Sequence, residues 1–134
     1  MFASGDIVRI YAPVAGRNKY HLCIEIGSDD SASKFLYLNS NPNYASCYSV
    51  PCERVPCIAP SDTGQTAFSF SMLPRYSAAQ LKTYKAEKIG ELDSGLAADL
   101  LAFAKTLKTL TTSDLLVVTT ALAAISAKVR PASS

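Results

Sequence analysis

The 134-residue chain contains no tryptophan, a single histidine (His21), and no apolar run of the about 18 residues that a membrane-spanning helix needs. Its formal net charge is +2, an excess too small to indicate nucleic-acid binding unless the cations gather in a local patch. Its first residues lack the basic start and apolar segment of a secretory signal. These absences predict a soluble cytoplasmic protein with no membrane partner.

The composition is that of a packed globular domain, because 49% of the residues are hydrophobic and 18% are charged. The length suits one core, and no internal repeat or low-complexity segment divides it. We therefore predict a single domain over residues 1–130, in which C-terminal helices follow the strands. A disordered tail is predicted over residues 131–134.

The first half of the chain, up to residue 76, has the patterns of short strands separated by polar turns. In order, the segments are GDIVRIYAPV, HLCIEIG, FLYLNS, CYSVPCERVPCIAP and TAFSFSML. The three prolines of the fourth segment confine it to a sheet edge or to bulges. Several short strands joined by polar turns predict a small antiparallel barrel or a strongly bent sheet.

The second half has the patterns of helices. Ser77 is the predicted N-cap of a helix over AAQLKTYKAEK that Gly90 ends. Asp93 or Ser94 begins a second helix, GLAADLLAFAKTLKTL, with one apolar face. Ser113 is the predicted N-cap of a third, LLVVTTALAAISAKV, which is apolar around most of its circumference and should be buried against a second subunit. Strands followed by helices predict the α+β class.

Four cysteines raise the question of a metal site: Cys23, Cys47, Cys52 and Cys57. The last three recur every five residues, and His21 would be a fourth ligand. Structural zinc sites favour cysteine pairs about two to four residues apart. Residues five apart on a strand face opposite sides, so these thiols should not converge. The spacing favours reduced, buried thiols, and no metal is predicted.

Two stretches, GDIVRIYAPVAGRNKYHLCIEI and FSFSMLPRYSAAQLKTYKAEKIGELDSGLAADLLAFAKTL, resemble the MazF/PemK (CcdB/MazF-like) toxin family. The first is similar to the family's first hairpin, in which a Gly-Asp-Ile-Val strand leads into a loop with glycine and arginine. The second is similar to its closing portion, with a last barrel strand, a short helix, an Ile-Gly-x-Leu signature and an amphipathic helix. The signature here is Ile89-Gly90-Glu91-Leu92, and the order holds over residues 4–108.

The resemblance implies a small SH3-like antiparallel β-barrel followed by C-terminal helices, a homodimer, and a toxin that an antitoxin protein holds in check. Active family members are metal-independent endoribonucleases that need no cofactor and cut single-stranded RNA. In them the RNA's own 2′-hydroxyl attacks the adjacent phosphate. The protein must then supply a base, a cation for the phosphorane and a donor for the leaving oxygen.

The family's site residues fall on this chain with some changes. The arginine at the loop-to-strand junction falls on Lys19, with Arg17 two residues earlier, and the strand-end Thr-Ser pair falls on Asn39 and Ser40. Lysine neutralises a phosphate as a point charge, without the bidentate fork of arginine. His21 suits acid–base chemistry and is expected to be accessible on the face that carries Lys19. The candidate catalytic residues are therefore Arg17, Lys19, His21 and Ser40.

Further polar residues are candidates for an RNA path, and the tyrosines are candidate platforms for stacked bases. The candidate RNA-binding residues are Lys34, Asn39, Arg54 and Arg75. Each motif has a simpler interpretation: GRNKYHLC is also a solvated hairpin tip, and NSNPN is a strong turn without any ligand. The alternative for the whole chain is a catalytically inactive SH3-like barrel that binds protein or RNA, which the loss of the family's arginine and threonine favours.

Overall fold

The structure, a computed structural model, describes residues 2–13, 16–28, 30–39 and 46–128. Within these ranges the chain forms seven strands and three α-helices. The strands are β1 (Asp6–Ala12), β2 (Arg17–Glu25), β3 (Ser33–Asn39), β4 (Cys47–Pro51), β5 (Gln65–Ser69), β6 (Arg75–Tyr76) and β7 (Glu87–Glu91), and the helices are α1 (Ala78–Thr83), α2 (Ser94–Ala104) and α3 (Thr112–Ser126). The tail predicted over residues 131–134 lies outside the described residues.

The seven strands form one antiparallel sheet in the order β4-β5-β3-β2-β1-β7, and β6 pairs with the first residues of β3. Helices α2 and α3 follow the sheet, so the predicted α+β class is confirmed. Among the described residues no ladder joins β4 to β7, and the sheet is not closed into a barrel. None of the described helices is long and apolar enough to cross a bilayer.

Side-chain alternation along β2 creates two clusters of buried residues on opposite faces of the sheet. Leu22 and Ile24 belong to the larger cluster, which α2 and α3 cover. Cys23 belongs to the smaller cluster, which Leu81 of α1 covers. Residues 21–24 are consequently all buried, because the middle of β2 is covered on both faces.

The N-caps of the first two helices lie where the sequence predicts them. The side chain of Ser77 accepts a hydrogen bond at the start of α1, and Asp93 does so for α2. The third helix begins slightly earlier than predicted, because Thr111, not Ser113, accepts the capping hydrogen bond. Its VVTT segment is helical, since the hydrogen bonds of a continuous 15-residue helix outweigh the modest penalty for β-branched side chains.

Within the single chain α3 is buried on one face only, and the predicted burial of its other face against a second subunit stays a prediction. Only Val118, Leu122 and Ile125 are fully buried, and they lie on the face that packs onto the sheet and α2. Leu116 on the outer face is 66% exposed. The outward positions are mostly alanine and threonine. These small side chains raise the apolar count of the helix, yet exposing them to solvent costs little free energy.

The first helix is shorter than predicted, and the last two residues of the predicted segment, Glu87 and Lys88, belong to β7. Helix α1 ends at Thr83, Lys85 takes a left-handed φ of 55°, and residues 87–91 pair with β1. Gly90 therefore lies within a strand instead of ending a helix. Pairing with β7 satisfies the backbone groups along the otherwise open edge of β1. The hydrogen bonds gained in this way outweigh the helix propensity of the β7 residues.

Candidate functional site

Two of the candidate catalytic cations lie at the outer end of β2, on the face opposite α2 and α3. Alternation places Arg17 and Lys19 on one face of the strand with His21. Arg17 is exposed and Lys19 is half-buried. Neither has a carboxylate within ion-pair distance among the described residues, whereas five other cations do: Arg9, Lys34, Arg54, Arg75 and Lys88. The charges of Arg17 and Lys19 are thus available to an anion in solution.

Lys19 is held over an aromatic ring. Its Nζ lies 5.2 Å from the centroid of the Tyr37 ring on the adjacent strand β3. A cation–π contact at such a partly exposed position stabilises by about 0.5–1 kcal/mol. Tyr20 pairs with Leu38, so Lys19 is level with Asn39, the last described residue of β3. A cation, a phenol ring and an amide therefore share one small surface, which we call the β2–β3 surface (Arg17, Lys19, Tyr37, Asn39).

His21 lies on the predicted face, but the expectation that it is accessible is wrong. Its exposure is 0%, because Tyr76 of β6 and α1 cover the sheet at this point. Nδ1 lies 3.1 Å from the carbonyl oxygen of Lys19, and Nε2 lies 3.1 Å from the hydroxyl of Tyr76. Alternation identified the face, whereas the element that covers it comes from residues more than 50 positions away.

Burial holds His21 neutral. Desolvation lowers its pKa to about 4; the hydrogen bond to the Lys19 carbonyl opposes this shift, and the Lys19 charge adds to it. A carbonyl only accepts, so Nδ1 carries the ring proton and Nε2 accepts from the Tyr76 hydroxyl. At neutral pH the buried ring of His21 is therefore neutral, and both of its nitrogens take part in hydrogen bonds within the protein.

Tyr76 is the residue that closes the surroundings of His21, a role for which the sequence did not single it out from the other tyrosines. Burial raises the pKa of its hydroxyl well above its ordinary range, and the neighbouring Tyr37 raises it further. Its ring makes edge contacts with His21 and Phe35, at centroid distances of 5.5 and 5.6 Å. The position directly before the N-cap Ser77 carries no pattern that would have marked it.

The other candidate RNA-binding cations lie apart from the β2–β3 surface. Arg54 pairs with Asp99 of α2 at 3.5 Å, and Arg75 pairs with Asp114 of α3 at 2.8 Å. Lys34 lies 3.9 Å from Glu25 and pairs in register with Arg75. The structure thus ties these cations to acidic partners, two of which are on the helices, and brings only Asn39 of the candidate set beside Lys19. Ser40 lies outside the described residues.

The thiols are dispersed. Cys23 is buried in the smaller cluster, and burial followed by the nearby Asp6 carboxylate raises its pKa to about 12. Cys52 is buried beside the hydroxyls of Ser61 and Thr66, at 3.6 and 3.7 Å. No group of three His, Cys, Asp or Glu side chains within the described ranges could hold a metal ion.

Position Gly90 of the Ile-Gly-x-Leu signature has a packing role. A Cβ at this position would lie 2.5 Å from Sγ and 2.7 Å from Cβ of Cys57, so only glycine lets β7 approach that side chain. Leu92 is buried, and its amide donates to the Gly5 carbonyl at 2.8 Å. The signature therefore joins β7 to the sheet and supplies no group to the β2–β3 surface.

Comparison of the chain with protein-family models, with curated proteins and with solved structures found no match in any of the three. Function must therefore be inferred from the chemistry of the β2–β3 surface and from the resemblance of the two stretches described above. The surface offers two cations, an aromatic ring and an amide at an exposed strand end. Such a set can bind a phosphate next to a stacked planar group.

Proposed function

We propose that the protein is a toxin of the MazF/PemK kind, a cytoplasmic metal-independent endoribonuclease that cuts single-stranded RNA. The observation that carries the proposal is the pair of free cations, Arg17 and Lys19, with Lys19 held over Tyr37 beside Asn39. The unclosed seven-stranded sheet corresponds, in this proposal, to the SH3-like barrel of the family. A homodimer and an antitoxin that holds the toxin inactive belong to the same proposal, and Leu116 on the exposed face of α3 offers apolar surface for either contact.

In the proposed reaction the 2′-oxygen bonds to phosphorus while the P–O5′ bond breaks. The 2′-hydroxyl loses a proton, the leaving O5′ gains one, and the products are a 2′,3′-cyclic phosphate and a 5′-hydroxyl. Lys19 and Arg17 stabilise the extra negative charge of the phosphorane, and the Asn39 amide donates to a phosphate oxygen. Ser40 holds a second phosphate oxygen in this scheme.

His21 acts in this proposal as a positioning residue. Its Nδ1–H binds the backbone carbonyl of Lys19, and its ring lies 5.0 Å from that of Tyr37, which underlies the Lys19 ammonium. Because His21 is buried and neutral, water takes the proton of the 2′-hydroxyl. An enzyme without a positioned general base forgoes about 10²–10⁴ in rate, so we expect slow cleavage that accelerates as pH rises.

The burial of His21 also favours a second candidate function, a catalytically inactive module of the same fold that binds RNA or protein. A proton-transfer residue that is withdrawn from solvent leaves binding intact and removes a step that cleavage needs. The β2–β3 surface serves binding without change. If the inactive module binds RNA, the two candidates predict the same affinity for RNA and differ only in cleavage.

The test is cleavage of a long single-stranded RNA in EDTA, with Lys19→Ala, Arg17→Ala and a matched Lys108→Ala control. Lys108 is an exposed lysine in the α2–α3 connection, far along the chain from the β2–β3 surface. We expect fragments with 2′,3′-cyclic phosphate ends from the wild type and the control, and at least about tenfold less from Lys19→Ala. Equal cleavage by all four proteins would indicate a contaminating nuclease and contradict the proposal.

The second candidate has its own outcome in the same experiment. RNA that is bound by the wild type, released by Lys19→Ala and left uncut at high pH would establish the inactive module. Growth of a bacterial host that expresses the wild-type chain would then be normal, whereas an active toxin would arrest it. Absence of both RNA binding and cleavage would overturn the ribonuclease and the RNA-binding module, and would leave the module that binds protein.

A further inference from the structure

A groove lies on the face of the sheet that α1 covers, between that helix and Phe2. Its volume is about 450 Å³. We call it the α1 groove, and its described lining consists of Phe2, Ala78, Ala79, Leu81, Lys82 and Ala86. This lining shares no residue with the β2–β3 surface, so the chemistry of the groove is separate from that of the proposed RNA site.

The α1 groove exists because the helix presents small side chains beside an apolar floor. Leu81 is 5% exposed and belongs to the smaller cluster, on which Phe2 and Ala86 also pack. Beside Leu81, the helix contributes the exposed residues Ala78 and Ala79, whose methyl groups are too small to close the space. The lining is therefore largely apolar carbon, and a ligand that covers it would release water from that surface.

Lys82 is the one polar side chain among the described residues that line the groove. It is exposed, and no carboxylate in the described ranges lies within ion-pair distance of it. The nearest acidic residue along the chain, Glu87, pairs instead with Arg9. Lys85, whose amide donates to the Lys82 carbonyl at 3.2 Å, adds a second cation to the same turn. The rim of the groove thus carries positive charge that an anionic group can neutralise.

The size and the lining of the α1 groove restrict the chemistry of a ligand. A volume of about 450 Å³ is within the range of roughly 300–1,000 Å³ that is typical of small-molecule sites. Apart from the Lys82 ammonium, the described lining side chains carry no hydrogen-bonding group, so further polar atoms of a ligand would be desolvated without a side-chain partner. An aliphatic chain has no such atoms, and a single anionic group at its end would meet Lys82.

A segment of a partner protein suits this lining less well. An extended peptide carries a donor and an acceptor at each residue, and the lining side chains offer them no partners. A docked amphipathic helix uses anchors from i to i+7, about 10 Å along its axis, whereas the lining residues 78–82 of α1 span about 6 Å. Both comparisons favour a single hydrocarbon chain over a peptide.

We propose that the α1 groove binds an aliphatic monocarboxylate, a fatty acid, whose carboxylate pairs with Lys82. Its hydrocarbon chain lies against Phe2, Leu81 and Ala86. Each methylene that enters the groove strengthens binding by up to about fourfold, until the chain outgrows the lining. The ion pair contributes less, because water and salt screen charges at an exposed rim. This inference goes beyond the proposed action on RNA and does not depend on it.

The first test titrates decanoate, below the concentration at which it forms micelles, into the isotope-labelled protein and follows amide shifts by NMR. We expect shifts at Leu81, Lys82 and Ala86, and none at Thr120 or Ala124, which line a separate groove beside α3. Hexanoate should bind more weakly at the same residues. Absence of shifts in the α1 groove overturns the inference, and so do equal shifts in both grooves, which would indicate non-specific association with apolar surface.

The second test separates the contribution of the carboxylate from that of the chain. Lys82→Met keeps an aliphatic side chain without the ammonium and should weaken decanoate binding by about three- to fivefold, without weakening that of decan-1-ol. Lys105→Met, at an exposed lysine that ends α2, is the matched control and should bind decanoate as the wild type does. Equal weakening of both ligands by Lys82→Met overturns the pairing of the carboxylate with Lys82.

The third test fills the groove and addresses other occupants. Ala79→Phe should abolish the binding of decanoate and of decan-1-ol, and unchanged affinity in this variant overturns the inference. Flotation with vesicles of anionic phospholipid tests for a membrane surface, and size-exclusion chromatography tests for a second copy of the chain. Vesicle binding or self-association that Ala79→Phe abolishes, while decanoate shifts no groove residue, would assign the groove to one of these occupants and overturn the inference.

Discussion

His21 is fully buried, and each of its ring nitrogens already has one hydrogen-bond partner, the Lys19 carbonyl or the Tyr76 hydroxyl. Protonation would place a charge in an apolar cluster and force Tyr76 to give up its role as donor. The same side chain that suggests acid–base chemistry in the sequence is therefore a buried link between β2 and β6. For His21, burial therefore determines both the protonation state of the ring and its hydrogen-bond partners.

The first prediction concerns the pH dependence of stability. The pKa of His21 falls from 6.5 in the unfolded chain to about 4 in the folded one. Between these values the unfolded chain binds more protons, so the free energy of unfolding should fall as pH drops from about 6.5 to 4, by about 3 kcal/mol in total. Urea denaturation at several pH values measures this loss, and NMR follows the His21 ring directly.

The control for this prediction is His21→Gln, which lacks the titrating group while the carboxylates that also titrate in acid remain. Its slope of unfolding free energy against pH between 7 and 5 should be shallower than that of the wild type. Equal slopes, or a His21 ring that titrates near its unfolded value, would show that the histidine is not buried in solution.

The second prediction tests the hydrogen bond between Tyr76 and His21. Tyr76→Phe preserves the ring contacts and removes the only donor to Nε2 among the described residues, so it should lower the free energy of unfolding by about 1–3 kcal/mol. Tyr84→Phe is the matched control, since its ring packs on Tyr76 at 6.2 Å while no described residue binds its hydroxyl. Similar losses in both variants would argue against the hydrogen bond.

At the element scale, β7 shows where local pattern and tertiary structure diverge. The caps Ser77 and Asp93 and the alternation of β2 are properties of neighbouring residues, and the sequence predicts them correctly. The residues of β7 form a strand because β1 has an open edge beside them, which no local window reveals. The candidate site shows the same difference. The alternation of β2 predicts the face on which Lys19 lies, whereas β6 and α1, which cover His21, are distant in sequence.

The third prediction concerns Gly90 in β7. Gly90→Ala places a Cβ 2.5 Å from Sγ of Cys57, and relieving that overlap should cost about 1–3 kcal/mol of unfolding free energy. Gly95→Ala in α2 is the control, because its Cβ would meet only Asp93 Oδ1, at 3.3 Å, and helix propensity favours alanine. Thermal denaturation compares the two variants. A Gly90→Ala protein as stable as the control would contradict the close packing of β7 on Cys57.

At the scale of the whole molecule, the pairing of charges decides where an anion can bind. The cations Arg54 and Arg75 pair with carboxylates on α2 and α3, whereas Arg17 and Lys19 share the other face of the sheet without such partners. A net charge of +2 therefore conceals a local excess of two unpaired cations at one strand end, and the exposed lysines Lys82, Lys85, Lys105 and Lys108 likewise have no ion pair among the described residues. Composition could not show this excess, because it depends on which carboxylates the fold brings to which cations.

The fourth prediction follows from this distribution of charge. If RNA binds through Arg17 and Lys19, two phosphate contacts give a slope of about −1.4 for log affinity against log salt concentration, and Lys19→Ala should reduce its size by about 0.7. Fluorescence anisotropy of a labelled oligouridine between low and moderate salt measures the slope. Arg54→Gln should leave it unchanged, because that guanidinium is paired with Asp99. A slope that Arg54→Gln reduces and Lys19→Ala does not would place the RNA on the helical face of the molecule, and the β2–β3 surface would then have no role in binding it.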